Sequence, residues 1–128
     1  MPTAAAAALL ALLLAAGSGS PRPSVRAGDL HGPVPGDDGG RVWQVPVGAV
    51  DRDGSVVSFE VDWGDGSTLW VTTACGPVGE AVGLRLPHEY RRQGTYRFRV
   101  RATSVDDCAH SRLAQLSGWA ARSFAVGP

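Results

Sequence analysis

Between Thr95 and Thr103 the chain alternates residue by residue. Tyr96, Phe98, Val100 and Ala102 form one side, and Arg97, Arg99, Arg101 and Thr103 form the other. A period of two is that of an extended strand whose faces meet different surroundings. A helix would scatter these arginines around its circumference. Val56 to Trp63 repeats the pattern, with Val57, Phe59, Val61 and Trp63 opposed to Ser58, Glu60 and Asp62. Ala81 to Leu86 repeats it again, with Val82, Leu84 and Leu86 opposed to Gly83 and Arg85. Leu69 to Thr73 reads as a short strand, and Gly118 to Val126 as a final one with Phe124 and Val126 inward. Val42 to Val50 is also β-rich, although Pro46 predicts an edge position or a bulge there. Turn signals separate these runs at Asp51-Arg52-Asp53-Gly54 and Gly64-Asp65-Gly66-Ser67. No amphipathic helix exceeds two turns, and Ser111 to Leu116 could form one. The pattern predicts an all-β chain, an Ig-like β-sandwich of about seven strands.

A chain of 128 residues accommodates one such domain. The first segment stands outside it. Ala4 to Ala16 contains only Ala and Leu, too short for a span of about 20 residues but of signal-peptide length. Residues 1–19 are therefore predicted to be a signal peptide and the mature chain to be secreted with no membrane span. Residues 20–40, with Pro21, Pro23, Pro33 and Pro35 and few apolar side chains, read as a Pro/Gly-rich linker. Within it, Ser24 to Leu30 could add as an edge strand. The sandwich is predicted over 41–127. Twelve basic residues, all Arg, balance twelve acidic ones. No net field draws the protein to nucleic acid or an anionic membrane.

Cys75 and Cys108 are the only cysteines. An exported chain is expected to pair them, which in the chain-entropy model is worth about 3.5–4 kcal/mol. The alternative is two buried free thiols. Their spacing, even with His88 or His110, matches no common zinc pattern.

Val61-Asp62-Trp63-Gly64-Asp65-Gly66-Ser67, followed by His88-Glu89-Tyr90 and then Gly94-Thr95-Tyr96-Arg97-Phe98-Arg99-Val100, resembles the polycystic-kidney-disease (PKD) domain family. That family carries a Trp-Asp-Phe-Gly-Asp-Gly-type motif, a His-x-Tyr and an alternating strand. Here Val61 and Trp63 stand where the family has two aromatics. The resemblance covers about 42–126. It implies an Ig-like sandwich outside the cell, used for protein–protein or protein–carbohydrate contact or as a spacer. Trp63 is expected to plug the core, Gly64 and Gly66 to permit the turn, and Tyr90 to act as a corner tyrosine. Asp62, Asp65, His88, Gly94 and Tyr96 complete the fold motif. Such roles speak to architecture more than to activity.

Several residues remain as surface candidates. Arg97, Arg99 and Arg101 form a row that reads either as an anion-binding face, with Arg91 and Arg92 at its end, or as an ion-pair ladder with Glu60 and Asp62 on the adjacent strand. Asp51, Asp53, Asp62 and Asp65 could offer oxygens to calcium, Asp51 and Asp53 above all, but Asp-Gly turns account for the same residues without metal. Trp43, Trp70 and Trp119 exceed what a core of this size needs. Trp70, in a short strand just after a turn, is the best candidate for stacking on sugar rings. No nucleophile elbow, zinc signature or phosphate loop is present. The sequence thus predicts a monomeric, non-catalytic module without cofactors, its partner an extracellular protein or polysaccharide. The rivals are a small inhibitor presenting the loop from Thr72 to Glu80 to a protease, and a pure structural spacer.

Overall fold

In a computed structural model the described residues, 22–37, 40–109 and 113–127, contain nine strands and no helix. They are β1 (Ser24–Ala27), β2 (His31–Pro35), β3 (Arg41–Val50), β4 (Ser55–Asp62), β5 (Thr68–Thr72), β6 (Val82–His88), β7 (Gly94–Val105), β8 (Gln115–Leu116) and β9 (Ala120–Val126). All pairings are antiparallel and form two sheets. In the first, β3 is central, with β6 on one side and β1 and β2 end to end on the other. In the second the order is β5-β4-β7, with β8 and β9 both along the far side of β7. This is an all-β sandwich, as the alternation predicts. The predicted signal segment, residues 1–19, lies outside the described residues.

The core forms where the inward faces of the two sheets meet. Trp43, Val45, Val47 and Ala49 of β3 pack toward Phe59 and Val61 of β4 and Phe98, Val100 and Ala102 of β7. Burying each large apolar side chain contributes about 1.5–3 kcal/mol. Trp63, 2% exposed, is the largest fully buried side chain and joins the sheets. Its ring stacks on His88 of β6 at 4.3 Å and lies 5.2 Å from Phe98 of β7. Phe124 and Val126 of β9 face inward, both 5% exposed.

Three features depart from the sequence reading. The predicted linker, residues 20–40, carries two strands within its described part, both paired to β3: β1, inside the Ser24 to Leu30 stretch expected as an edge strand, and β2, which the sequence does not signal. The linker's apolar residues are few, but Val25, Ala27 and Leu30 pack on the core, and β3 supplies the backbone partners that the segment lacks alone. Second, β3 is an interior strand despite Pro46. The Pro46 carbonyl accepts Gly28 N–H at 2.8 Å, so its missing N–H would point to the same side, where the chain reverses from β1 to β2. No ladder bond is lost there. Third, the β4–β7 register slips between Val56 and Ser58. This bulge at Val57 turns Val56, 1% exposed, into the core.

Candidate functional site

The turn after β4 decides how the motif residues sit. Gly64 and Gly66 hold φ of 84° and 92°, the region that favours glycine. A Cβ on Gly64 would lie 2.4 Å from the Arg97 carbonyl oxygen, so the turn also packs against β7 too closely for any other residue. Asp62 Oδ1 accepts Gly64 N–H at 2.9 Å and Asp65 Oδ1 accepts Ser67 N–H at 3.0 Å, two local clasps that fix the loop. Trp63 N–H donates to Ser67 O at 3.0 Å, closing the hairpin. The Tyr90 hydroxyl, buried, donates to the Trp63 carbonyl at 2.8 Å. Burial pushes the Tyr90 phenol far above its ordinary range. His88 Nε2 hydrogen-bonds Asp65 Oδ2 at 2.7 Å. Partial burial works against the Asp65 carboxylate, yet the bonds from His88 and Ser67 outweigh it and hold its pKa below the ordinary value. Tyr96 stacks on Tyr90 at 4.4 Å and donates its hydroxyl to Arg92 O at 2.6 Å, just before Gly94 opens β7.

The outward face of the second sheet is different in kind. Register places Glu60 between Trp70 on β5 and Arg101 on β7, and Asp62 between Thr68 and Arg99. Arg99 donates to Asp62 at 2.9 Å and Arg101 to Glu60 at 2.5 Å. The Arg99 hydrogen bond is the first cause of the depressed Asp62 pKa, with the Gly64 N–H second. The arginine row is therefore largely a cross-strand ladder, each half-exposed pair worth about 0–1 kcal/mol. Arg97 lies beyond it, exposed and opposite Ser123 on β9. The guanidinium groups of Arg99 and Arg101 also lie over the Trp119 ring, 4.7 and 4.4 Å from its centroid.

The four tryptophans thus divide. Trp63 and Trp43 are core residues, at 2% and 8% exposure, while Trp119 is 38% exposed on its cationic stack and Trp70 is 59% exposed. Trp119 lies just before β9, inside the predicted final strand Gly118 to Val126, and its stacking on the two arginines is what that pattern does not signal. Trp70, Glu60, Arg101 and Trp119 follow one another across four neighbouring chain segments. The face is charge-compensated and carries two exposed aromatic rings.

The other candidates are placed elsewhere. Cys75 and Cys108 are bonded, with Cα atoms 5.8 Å apart, and tie the β5–β6 loop to the β7–β8 loop. Asp51 is buried; its Oδ1 accepts Asp53 N–H at 3.0 Å and its Oδ2 accepts the Ser104 hydroxyl at 2.5 Å. Among the described residues no three His, Cys, Asp or Glu side chains gather as metal ligands do. His31 is exposed on β2, in the same sheet as His88 but across β3 from it, and His110 lies outside the described residues.

A comparison of folds decides the architecture. A solved PKD domain of an M14-like peptidase from a Thermoplasmatales archaeon superimposes with a TM-score of 0.54, covering 86% of this chain and all, 100%, of that domain at 22% identity. The fold is that of a PKD domain. At that identity the likeness concerns the fold alone. No protein-family model matches the chain, and no curated protein matches its sequence. A disulfide on a PKD fold fits an extracellular domain. Among the described residues no helix is long and apolar enough to cross a membrane.

Proposed function

We propose that this PKD-fold chain is an exported, non-catalytic contact module whose ligand is a flat polysaccharide lying across the outer face of the second sheet. The observation that carries the reading is Trp70, 59% exposed in the middle of a strand and level with the Glu60–Arg101 pair. An indole left in water at such a position offers its apolar face to a sugar ring, and a paired carboxylate and guanidinium beside it suit vicinal hydroxyls. Compensated charge on the face favours a neutral glycan over an acidic one. Thr68 and Thr72 flank Trp70 on the same face and add hydroxyls. Arg97 is the remaining cation for an anionic substituent. The similar domain belongs to an M14-like peptidase.

The test is a pull-down on insoluble neutral polysaccharides and on fibrous protein, with native chain and Trp70→Ala. Retention on polysaccharide that Trp70→Ala abolishes supports the proposal. Retention on fibrous protein alone, or retention indifferent to Trp70, overturns it. A second reading, a protease inhibitor, draws on the β5–β6 loop, pinned by the disulfide and by Ser55 Oγ–H donating to Gly76 O at 2.8 Å, with Val78 50% exposed. Inhibition of a panel of endoproteases would select it.

A further inference from the structure

Among the described residues the sandwich has four edges, and all but one carry a device against pairing with another chain. β6 contains Arg85 and Pro87. β2 contains Pro33 and Pro35 and a register irregularity. β1, four residues long, carries Arg26, and β8 has two residues. β9 carries Arg122, which donates to Ala27 O and to Asp29 and so closes that side of the sandwich onto the end of β1. Charge, proline, brevity and cover are the usual means of blunting an edge. β5, Thr68-Leu69-Trp70-Val71-Thr72, has none of them. It is uncharged, free of proline and glycine, and among the described residues nothing pairs with it on the side away from β4.

Its hydrogen-bond parity is set by two bonds. Trp63 N–H donates to Ser67 O at 3.0 Å and Thr73 N–H to Val57 O at 2.9 Å, so the odd-numbered residues of this strand bond to β4. The N–H and C=O groups of Thr68, Trp70 and Thr72 then point away from the sheet. The same strand reads nearly alike in both directions, Thr-Leu-Trp-Val-Thr. About a two-fold axis at Trp70, each Thr68 faces Thr72 of the other copy, each Leu69 faces Val71, and Trp70 faces Trp70.

We propose that a second copy of this chain is the partner of β5, the two strands pairing antiparallel about Trp70 to join the second sheets of two protomers. The free groups of the three even-numbered residues supply about six hydrogen bonds. Threonine pairs and the tryptophan pair meet on the outer face, Leu69 and Val71 extend the inner one, and no charge is buried. The two-fold pairing uses each β5 edge once and closes at a dimer. A five-residue seam is small beside specific interfaces of about 1,200–2,000 Å², so association is weak, with a dissociation constant on the order of 10–100 μM. The dimer goes beyond the glycan reading: it places two Trp70 indoles at the centre of one doubled face.

Sedimentation equilibrium of the native protein to about 0.5 mM tests it. A monomer–dimer equilibrium is expected. Thr72→Pro removes an N–H that points away from β4 and leaves the intramolecular ladder whole, so dissociation should rise by about tenfold or more while the fold is kept. Trp70→Lys, which sets two like charges face to face, should do the same and serves if Thr72→Pro misfolds. A native monomer throughout, open-ended aggregates, or a dimer indifferent to both substitutions overturns the proposal. Thr72→Pro retains Trp70, so its polysaccharide retention separates failure of the dimer from failure of the glycan reading.

Discussion

Removing one oxygen atom from each of two stacked tyrosines should have very different consequences. Tyr90 is 5% exposed and its hydroxyl gives the Trp63 carbonyl a hydrogen bond of 2.8 Å. Tyr96, against it at 4.4 Å, gives a bond of 2.6 Å to Arg92 O near the surface. In Tyr90→Phe the Trp63 carbonyl is left buried without that donor, at a cost of about 1–3 kcal/mol. For a domain of this size each kcal/mol lowers the midpoint of thermal unfolding by roughly 4–8 °C. In Tyr96→Phe water replaces the lost donor, and the change should stay within about 0.5 kcal/mol. Urea unfolding followed by tryptophan fluorescence measures both, with unchanged m-values as the check that only stability moved. Equal losses in the two variants, or a loss below about 0.5 kcal/mol in Tyr90→Phe, would refute the claim that Tyr90 anchors the indole joining the sheets.

Replacing Cys75 and Cys108 together by serine should cost about 3–4 kcal/mol in urea unfolding, because the bridge closes a segment of 33 residues' separation in the unfolded chain. A loss under about 1 kcal/mol would mean that other contacts already restrain both loops in the unfolded ensemble. Asp62 and Asp65 both have carboxyl pKa values depressed below 3.8. Their contribution is therefore complete above the unfolded-state value near pH 4 and is lost as pH falls through the folded ones. Asp65→Asn should flatten the acid limb of the stability–pH curve measured by thermal unfolding, and an unchanged limb would contradict the assignment.

How far the sequence was legible depended on whether a residue's environment is set by its own strand. The alternations at 95–103 and 56–63 reveal the two central strands of the second sheet because each has one dry and one wet face. Trp43, counted among the aromatics surplus to the core, is instead buried in step with Val45, Val47 and Ala49. What failed was set by other strands. β2 has too few apolar residues to signal itself, whereas β1 falls within the Ser24 to Leu30 stretch read as a possible edge strand, and both exist because β3 offers them hydrogen bonds. The harm expected of Pro46 disappears because the neighbouring chain happens to reverse beside it. The bulge at Val57 breaks the period without a glycine or proline to mark it. Glu60 and Asp62 as partners of the arginines followed from strand order, whereas the stacking of Trp119 on them did not.

The assignment of a glycan to the outer face of the second sheet can be read from four signals, the indole N–H resonances of Trp43, Trp63, Trp70 and Trp119. Titration with a soluble oligomer of the retained polysaccharide should shift those of Trp70 and Trp119 and leave the two buried ones in place. Shifts confined to Trp43 or Trp63, or the same shifts surviving in Trp70→Ala at unchanged affinity, would contradict it.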